Sequence, residues 1–561
     1  MFRNPSSRIA LCRPATQRPG PVARRGLGSR LIPSLTLAAA LAAAIPAHAV
    51  PATDAGASRI TEALRRYVGP VPGVVETVAE GETYRLTLDA TPLLDHFLPL
   101  LSEMIAAGDP PGDPSDDAPD ATPDAMSGVV FSVPPVTFTL TDRGDGTWGV
   151  RQDQQLRVRA SLPGLLSFER AGDLRMEGIF DPRLGSFTQL DQTETNITST
   201  ETQFADGQPF SEAETTVAET AIKATGAANP AGGVDMQTTL TSGPLVVRQK
   251  IFYSLPDPET GRRDTFGLEA SMGRYSGISE ARGVRATEML DLLAWAVALP
   301  SLDEIPARQD ELKRLLRAAL PLFQDLRLSM PIEDLRVATA IARGGFKRID
   351  TAIDTTGLVS DGRMRLAMAM EGPDLPVMML DPWMRPLVPQ AAGFDVTMTG
   401  FDAKAAGDMM LAALDLTAEE PFATLDSEAL GRAILPSGRL RFDLAPSLIE
   451  APDYTVAYGG WLETGPAVGS AVGPAASPDA PAATGVVGEL RIEAAGLDGV
   501  ERQIEAGFGN RAVQTLGALR HLRTLAEKKD GRDLWVIDLA NLSDFMDRAE
   551  PPLDDDMPGN P

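Results

Sequence analysis

The sequence predicts an α+β fold: long, largely antiparallel β-sheets with helices packed on them and no disulfide. Three observations predict it. From Val129 to Tyr275 the chain alternates apolar and polar residues in run after run, separated by turn residues and by no helical pattern, as adjacent antiparallel strands do. Helical spacing of apolar residues is confined to short segments before, between and after such runs. Cys12 is the sole cysteine and falls in a leader expected to be removed, so stability has to come from burial and backbone pairing.

That leader is residues 1–49. It holds seven arginines and no acidic residue, then an apolar run from Leu31 to Ile45, then Ala47-His48-Ala49. This is the basic region, apolar region and small-residue cleavage site of a secretory signal peptide. The basic region is long, which fits either an extended leader or an internal start such as Val22. Arg24-Arg25 offers a twin-arginine export route, although Gly26-Leu27-Gly28 suits that motif poorly. The apolar run stops at Pro46, short of the ~20 residues a membrane helix needs, so cleavage after Ala49 is expected in place of anchoring. The expected compartment is the periplasm, with association with the outer membrane left open.

Residues 50–107 form an N-terminal α/β segment. Ser58 to Val68 has helical spacing, Thr83 to Leu88 alternates as a half-buried strand, and Thr91-Pro92 opens a helix through Leu94, Phe97, Leu101 and Ile105. Residues 108–127 are a Pro-, Asp- and Ala-rich linker expected to be disordered. Residues 128–285 are the β-rich region. Thr137 to Leu140, Asp145-Gly146, then Trp148 and Val150 spell a hairpin. Phe187 to Ala224 is dense in Thr and Glu, which predicts long, weakly hydrophobic strands with one solvated face.

Residues 286–547 mix helices and strands. Ala286 to Leu299 is an apolar helix too short to span a bilayer. Ser301 with Glu304 predicts a capping box for a helix through Leu312, Leu315, Leu316 and Leu320, ended by Pro321. Those leucines have core spacing; a lipid-binding amphipathic helix is the alternative. Leu335 to Ala342, Ile349 to Thr355 and Met364 to Met370 read as strands. Phe394 to Asp402 is a strand ending in Gly400-Phe401-Asp402 before a helix, and Leu490 to Asp498 repeats the design with Gly496-Leu497-Asp498. In both, Gly permits a sharp exit and Asp is expected to cap the helix. The Gly/Ala/Pro tract 464–485 is a flexible hairpin loop, and residues 548–561 are an acidic tail expected to be disordered.

The net charge is −26, and loss of seven leader arginines leaves −33. Phosphate contacts need clustered Lys and Arg, so nucleic acid is excluded as a partner and adsorption to anionic headgroups is disfavoured. The acidity serves solubility; calcium chelation is the sharper alternative, but no EF-hand loop is present. Asp142-Arg143-Gly144-Asp145-Gly146 comes nearest and reads better as a hairpin turn.

No catalytic, cofactor-binding or metal-ligating residue is assigned, and no cofactor is expected. With the leader gone, His96 and His521 are the two remaining histidines; the first reads as a core-edge residue, the second as part of a solvated helix face. G-x-S-x-G, S-x-x-K, H-E-x-x-H and the phosphate-binding lysine loop are all absent from the sequence. Paired carboxylates, as in glycoside hydrolysis, are the one catalytic chemistry the inventory allows.

The stretches "LLRAALPLFQDLRLSMPIEDLRV", "GLVSDGRMRLAMAMEG", "LVPQAAGFDVTMTGFDAKAAGDMMLAALD", "LPSGRLRFDLAPSLIEAPDYTVAYGGWLE" and "GLDGVERQI" resemble the alphaproteobacterial proteins classed as domain of unknown function 2125. The resemblance covers roughly residues 280–540. It implies a secreted or envelope protein of α+β type with no established activity and no catalytic residues to carry over. The expected function is therefore non-enzymatic: a periplasmic protein holding a lipid or hydrophobic small molecule in a β-sheet groove. An envelope scaffold with a protein partner is the alternative, and a carboxylate-only hydrolase is the third reading. No integral membrane span is expected after cleavage.

Overall fold

The computed structural model describes residues 51–69, 71–93, 130–253, 263–376, 380–466, 484–507 and 510–549, apart from positions 163, 206 and 300. The expected leader, the linker 108–127, His96 with the helix expected beyond Leu93, residues 467–483 of the expected loop 464–485 and residues 550–561 of the expected tail lie outside the described residues; positions 464–466 and 484–485 are paired strand and 548–549 end a helix, in place of loop and tail.

Helix α1 (Asp54–Val68) is followed by β1 (Val75–Glu80), β2 (Thr83–Leu88), β3 (Val130–Ser132) and β4 (Val136–Asp142). Four long strands come next: β5 (Trp148–Leu162), β6 (Leu166–Asp181), β7 (Ser186–Ala205) and β8 (Gln208–Ala228). Then come β9 (Val234–Ser242), β10 (Leu245–Phe252), β11 (Thr265–Met272) and β12 (Arg274–Val284), followed by α2 (Ala286–Val297) and α3 (Gln309–Ala319). The chain continues through β13 (Asp325–Thr339), β14 (Arg343–Thr356), β15 (Gly362–Asp374), β16 (Ala391–Phe401), α4 (Ala403–Ala413) and α5 (Ser427–Ile434). It closes with β17 (Leu440–Glu450), β18 (Thr455–Pro466), β19 (Thr484–Ala495), α6 (Leu497–Glu505), α7 (Asn510–Thr524), β20 (Glu527–Lys529), β21 (Arg532–Asp538) and α8 (Leu542–Ala549).

Among the described residues all the strands join one antiparallel sheet, and most strands pair with their successors. The path runs β1–β2–β4–β5–β6–β7–β8. Along β8 lie β9 and β10 end to end, and beside them β12 and β11 end to end. Strand β13 pairs with both of those, and the meander continues through β14, β15, β16, β17, β18 and β19 to β21 and β20. The sheet thus runs without a break across residues 285–286, through the pairing of β12 with β13. The hairpin expected at Asp142–Gly146 forms: Arg143 N–H donates to the Thr147 carbonyl, and Asp145 Oδ1 accepts from Thr147 N–H at 2.9 Å.

Side chains alternate across a sheet, so register assigns each residue to one of two faces. One face is apolar along nearly the whole meander. At the N-terminal end it is covered: Ile60 and Leu64 of α1 and Leu290 of α2 pack with Leu86, Leu140, Val150 and Phe180 in one buried cluster. At the C-terminal end α6 and α7 do the same, with Val500, Ile504 and Ala512 against Ala494, Trp535 and Ile537.

A crease, meaning a line where the strand phase slips, crosses the sheet. Seven consecutive staves each step by three residues, not two, between neighbours on the apolar face. Register puts Glu194 then Ile197 of β7 opposite Thr220 then Val217 of β8. Ser242 then Leu245, Met272 then Tyr275, Ile332 then Leu335, Ile349 then Phe346, and Met370 then Pro373 repeat the step. At the step Asn196 and Asp334 have φ of 55° and 53°, the left-handed region that Asn and Asp enter more readily than other side chains. Because every stave steps together, the strands stay paired and the apolar side stays on one face across the step.

Two expected caps are corrected. Ser301 and Glu304 do not open the leucine helix: residues 302–304 and 306–308 are separate 3₁₀ turns, and α3 begins only at Gln309. Pro306 stands inside the expected first turns; it has no N–H to donate, and the chain restarts after it. Asp498 does not cap α6. Gly496, at φ 81°, is the residue before the helix, and Asp498 sits inside the first turn, where its carboxylate accepts from Arg523 at 2.6 Å. The matching Asp402 does cap α4, accepting from Ala405 N–H at 2.7 Å.

Candidate functional site

Between the two helix-covered ends the apolar face is open. Among the described residues, no apolar strand side chain between Val234 and Ala494 is buried. Yet the pattern that makes a core elsewhere persists here in register. Leu328 faces Ile353, Ile353 faces Leu366, Leu366 faces Val396, and Val396 faces Leu444. One row along, Met364, Met398, Phe442 and Leu462 follow in the same way. Of these nine, Met364 is exposed and the other eight are half-buried. This is a strip of β13–β18 that sequence pattern and register prepare for burial and that no described element buries.

The opposite face of the same strands is ionic. Arg365 reaches both neighbouring strands: its Nη1 lies 2.8 Å from Asp354 Oδ2 of β14, and its Nη2 2.7 Å from Asp395 Oδ2 of β16. The hydrogen bonds to Asp395 and then Asp354 raise the Arg365 guanidinium above its already high value. Arg348 pairs with Asp350 at 2.6 Å, and Arg441 pairs with Asp443 while lying 4.9 Å over the Trp461 ring. On this face a shallow depression of about 390 Å³ has a floor of Ala352, Ala367, Ala369 and Gly393 and a rim that includes Asp350 and Asp395. Small floor residues make the hollow, and the rim carboxylates are already engaged by Arg348 and Arg365.

His521 Nε2 donates to the Arg548 carbonyl at 2.5 Å, between α7 and α8. Among the described residues no group of three His, Cys, Asp or Glu side chains is placed to hold a metal ion. No described helix is long and apolar enough to cross a membrane. The open apolar strip was within reach of sequence reasoning, since each of its strands alternates; that the strands share one uncovered face needs their register. The alanine-floored depression carries no signal in sequence, because alanine at alternate positions suits either face.

No family model matches the chain, and no curated protein matches it.

Proposed function

We propose that this is a non-enzymatic protein exported to the bacterial envelope, where the open apolar face of its central sheet holds an acyl chain. The observation that carries the reading is the strip of Leu328, Ile353, Leu366, Val396 and Leu444, continuous in register and half-exposed between two helix-covered ends. Contiguous exposed apolar surface is costly and marks a binding surface. Five spacings of about 4.8 Å from β13 to β18 make the strip roughly 24 Å across. That exceeds the ~15 Å each leaflet contributes to a bilayer's ~30 Å hydrocarbon core, so a whole acyl chain fits along it. That row offers no hydrogen-bonding side chain, which suits a hydrocarbon chain better than a protein surface with its polar rim. The basic, apolar and Ala47-His48-Ala49 pattern of the first 49 residues supports export.

The test is to express the chain with its own leader, recover it from the periplasm, and extract it with organic solvent for lipid mass spectrometry. A co-purifying acyl lipid is expected, together with a mature N-terminus at Val50. Leu366→Ser with Val396→Ser should abolish binding of an apolar fluorescent probe at a cost of about 2 kcal/mol, less than the loss of one large side chain from a packed cluster. A wild-type protein that carries no lipid and leaves the probe dark overturns the proposal.

A further inference from the structure

The two rims of the sheet, where its strands turn, are built differently. On one rim the turns 143–147, 182–185 and 229–233 carry no exposed large apolar side chain, and the chain leaves the sheet there for α2, α3, α4 and α5. On the other rim the hairpins end in bulky apolar residues. Leu165 turns β5 into β6, Phe210 follows the turn from β7 to β8, Tyr253 and Phe266 flank the connection from β10 to β11, and Ile341 turns β13 into β14. They are 64%, 47%, 68%, 39% and 74% exposed, and Leu375, just past β15, is a sixth exposed residue of this kind. A residue at a turn lies beyond the last cross-strand pair and has few side chains to pack on, so Gly, Pro, Asn, Asp and Ser are the ordinary choices there.

Register brings these residues to one line. The Leu165 carbonyl accepts from Phe204 N–H at 2.9 Å, and Phe204 pairs with Pro209, next to Phe210. Ser211 pairs with Ile251, two residues before Tyr253, and Ile251 also pairs with Phe266. Leu268 pairs with Thr339, two residues before Ile341, and Gly345 pairs with Asp374, next to Leu375.

We infer that this rim docks onto a phospholipid bilayer, its apolar tips entering the edge of the hydrocarbon layer. A protein partner would need these residues gathered into one closely packed centre. Here successive hairpins hold them about 10 Å apart along roughly 35 Å of rim, at two strand spacings per hairpin, and a fluid surface accepts that separation. Cations accompany the tips although the chain carries a net charge of −26. Lys250 Nζ and Arg263 Cζ lie 4.8 Å and 5.2 Å from the centre of the Phe252 ring, next to Tyr253, and Lys250 keeps only a 3.8 Å contact with Glu212. Arg343 follows Ile341 by two residues. Apolar tips flanked by aromatic and basic side chains match the layering of a bilayer, hydrocarbon below and phosphate above. The rim is also continuous with the open strip: on β13 the apolar face runs from Val337 through Leu335, Ile332 and Met330 to Leu328. The docking itself does not depend on what the strip holds.

The test is flotation of the full-length protein with phosphatidylcholine vesicles, in wild type and in a variant carrying Leu165→Ser, Phe210→Ser, Tyr253→Ser, Phe266→Ser and Ile341→Ser. Wild type should float, and partition of the variant should fall by about tenfold or more. Its melting temperature should hold, because all five side chains are already exposed. Tyr253→Ser with Ile341→Ser should lower partition by about threefold, which keeps the test valid if five changes together disturb folding. Position is read separately: Ile341→Trp should be quenched by vesicles brominated on their acyl chains, and Ala231→Trp, on the opposite rim, should match wild type. The strip variant Leu366→Ser with Val396→Ser should float as wild type does, so failure of the acyl-chain reading leaves this inference standing. A wild type that does not float, a five-residue variant that floats equally, loss of flotation in the strip variant, or quenching at position 231 in place of 341 overturns it. A five-residue variant that changes the oligomeric state and leaves flotation untouched also overturns it, and assigns the rim to contacts between copies of the chain.

Discussion

The N-terminal end and the middle of this sheet have the same local design and different fates. In both, apolar residues alternate with charged ones along antiparallel strands. At the N-terminal end α1 and α2 lie on the apolar face, and Leu86, Leu140, Val150 and Phe180 are at most 1% exposed. In the middle the equivalent rows stay half-exposed. The difference teaches that strand pairing and cross-strand side-chain contacts hold the middle together without a covering helix. Its hydrophobic contribution from sheet-to-helix packing is missing, and a ligand can supply it. Binding should therefore stabilise the middle and leave the covered end unchanged.

The largest expected effect breaks the comparison directly. Leu140→Ala, in the covered end, should cost about 3–5 kcal/mol, because it opens a cavity among packed neighbours. Leu366→Ala, at the matching position of the open strip, should cost only about 1 kcal/mol, since that side chain keeps much of its contact with water in the folded state. Urea unfolding of the two variants side by side measures this. Equal losses would mean that the strip is as tightly packed as the cluster, and the binding surface would be lost with it.

A smaller effect separates the two regions by pH. Asp181, at the end of β6 in the covered region, accepts from Arg183 through Nε at 3.0 Å and Nη2 at 2.7 Å, and from the Arg183 backbone N–H at 2.9 Å. The Arg183 side-chain bonds hold its carboxyl below the usual range, against the opposing pull of burial. A depressed folded pKa contributes stability that is present above the unfolded value of about 3.9 and is lost as pH falls through the lower folded value. Asp181→Asn should thus lower stability at pH 7, with the deficit shrinking as pH falls below about 4. Melting curves from pH 7 to pH 3 read it out. A deficit that persists undiminished at pH 3 would assign the loss to packing around the side chain and not to its charge.

Much of the strand architecture was legible because alternation is a local signal. The β-rich region, its Thr- and Glu-dense strands and the Asp142–Gly146 turn follow from residues a few positions apart. The crease was not legible. Asn196 and Asp334 stand inside strands where the pattern of two slips to three, and one such slip reads as noise until seven staves show it together. The burial of two glutamines was hidden for the opposite reason. Gln152 and Gln192 look like solvent-facing residues of polar strands, and only the phase set by Val150 and Leu190 puts them on the buried side. Register between strands distant in sequence decided the crease, and periodicity within a strand does not contain it.

The smallest expected effect tests the repeated strand–Gly–apolar–Asp junction, which occurs in the middle of the sheet and at its covered C-terminal end. At both copies the glycine takes the same left-handed turn, φ 91° at Gly400 and 81° at Gly496, where a side chain would be strained. The aspartates then diverge by one helical position. Asp402 stands before α4 and satisfies the Ala405 N–H, one of the helix's orphan donors, so Asp402→Ala should cost about 1 kcal/mol. Asp498 lies inside α6, its side chain 76% exposed, and pairs with Arg523, which also binds Glu501 and Asp533. Losing one exposed partner of three should cost less than about 0.5 kcal/mol. Paired denaturation curves decide between these, and a cost for Asp498→Ala equal to that for Asp402→Ala would show that Asp498 supports its helix start as a cap does, contrary to the position assigned to it.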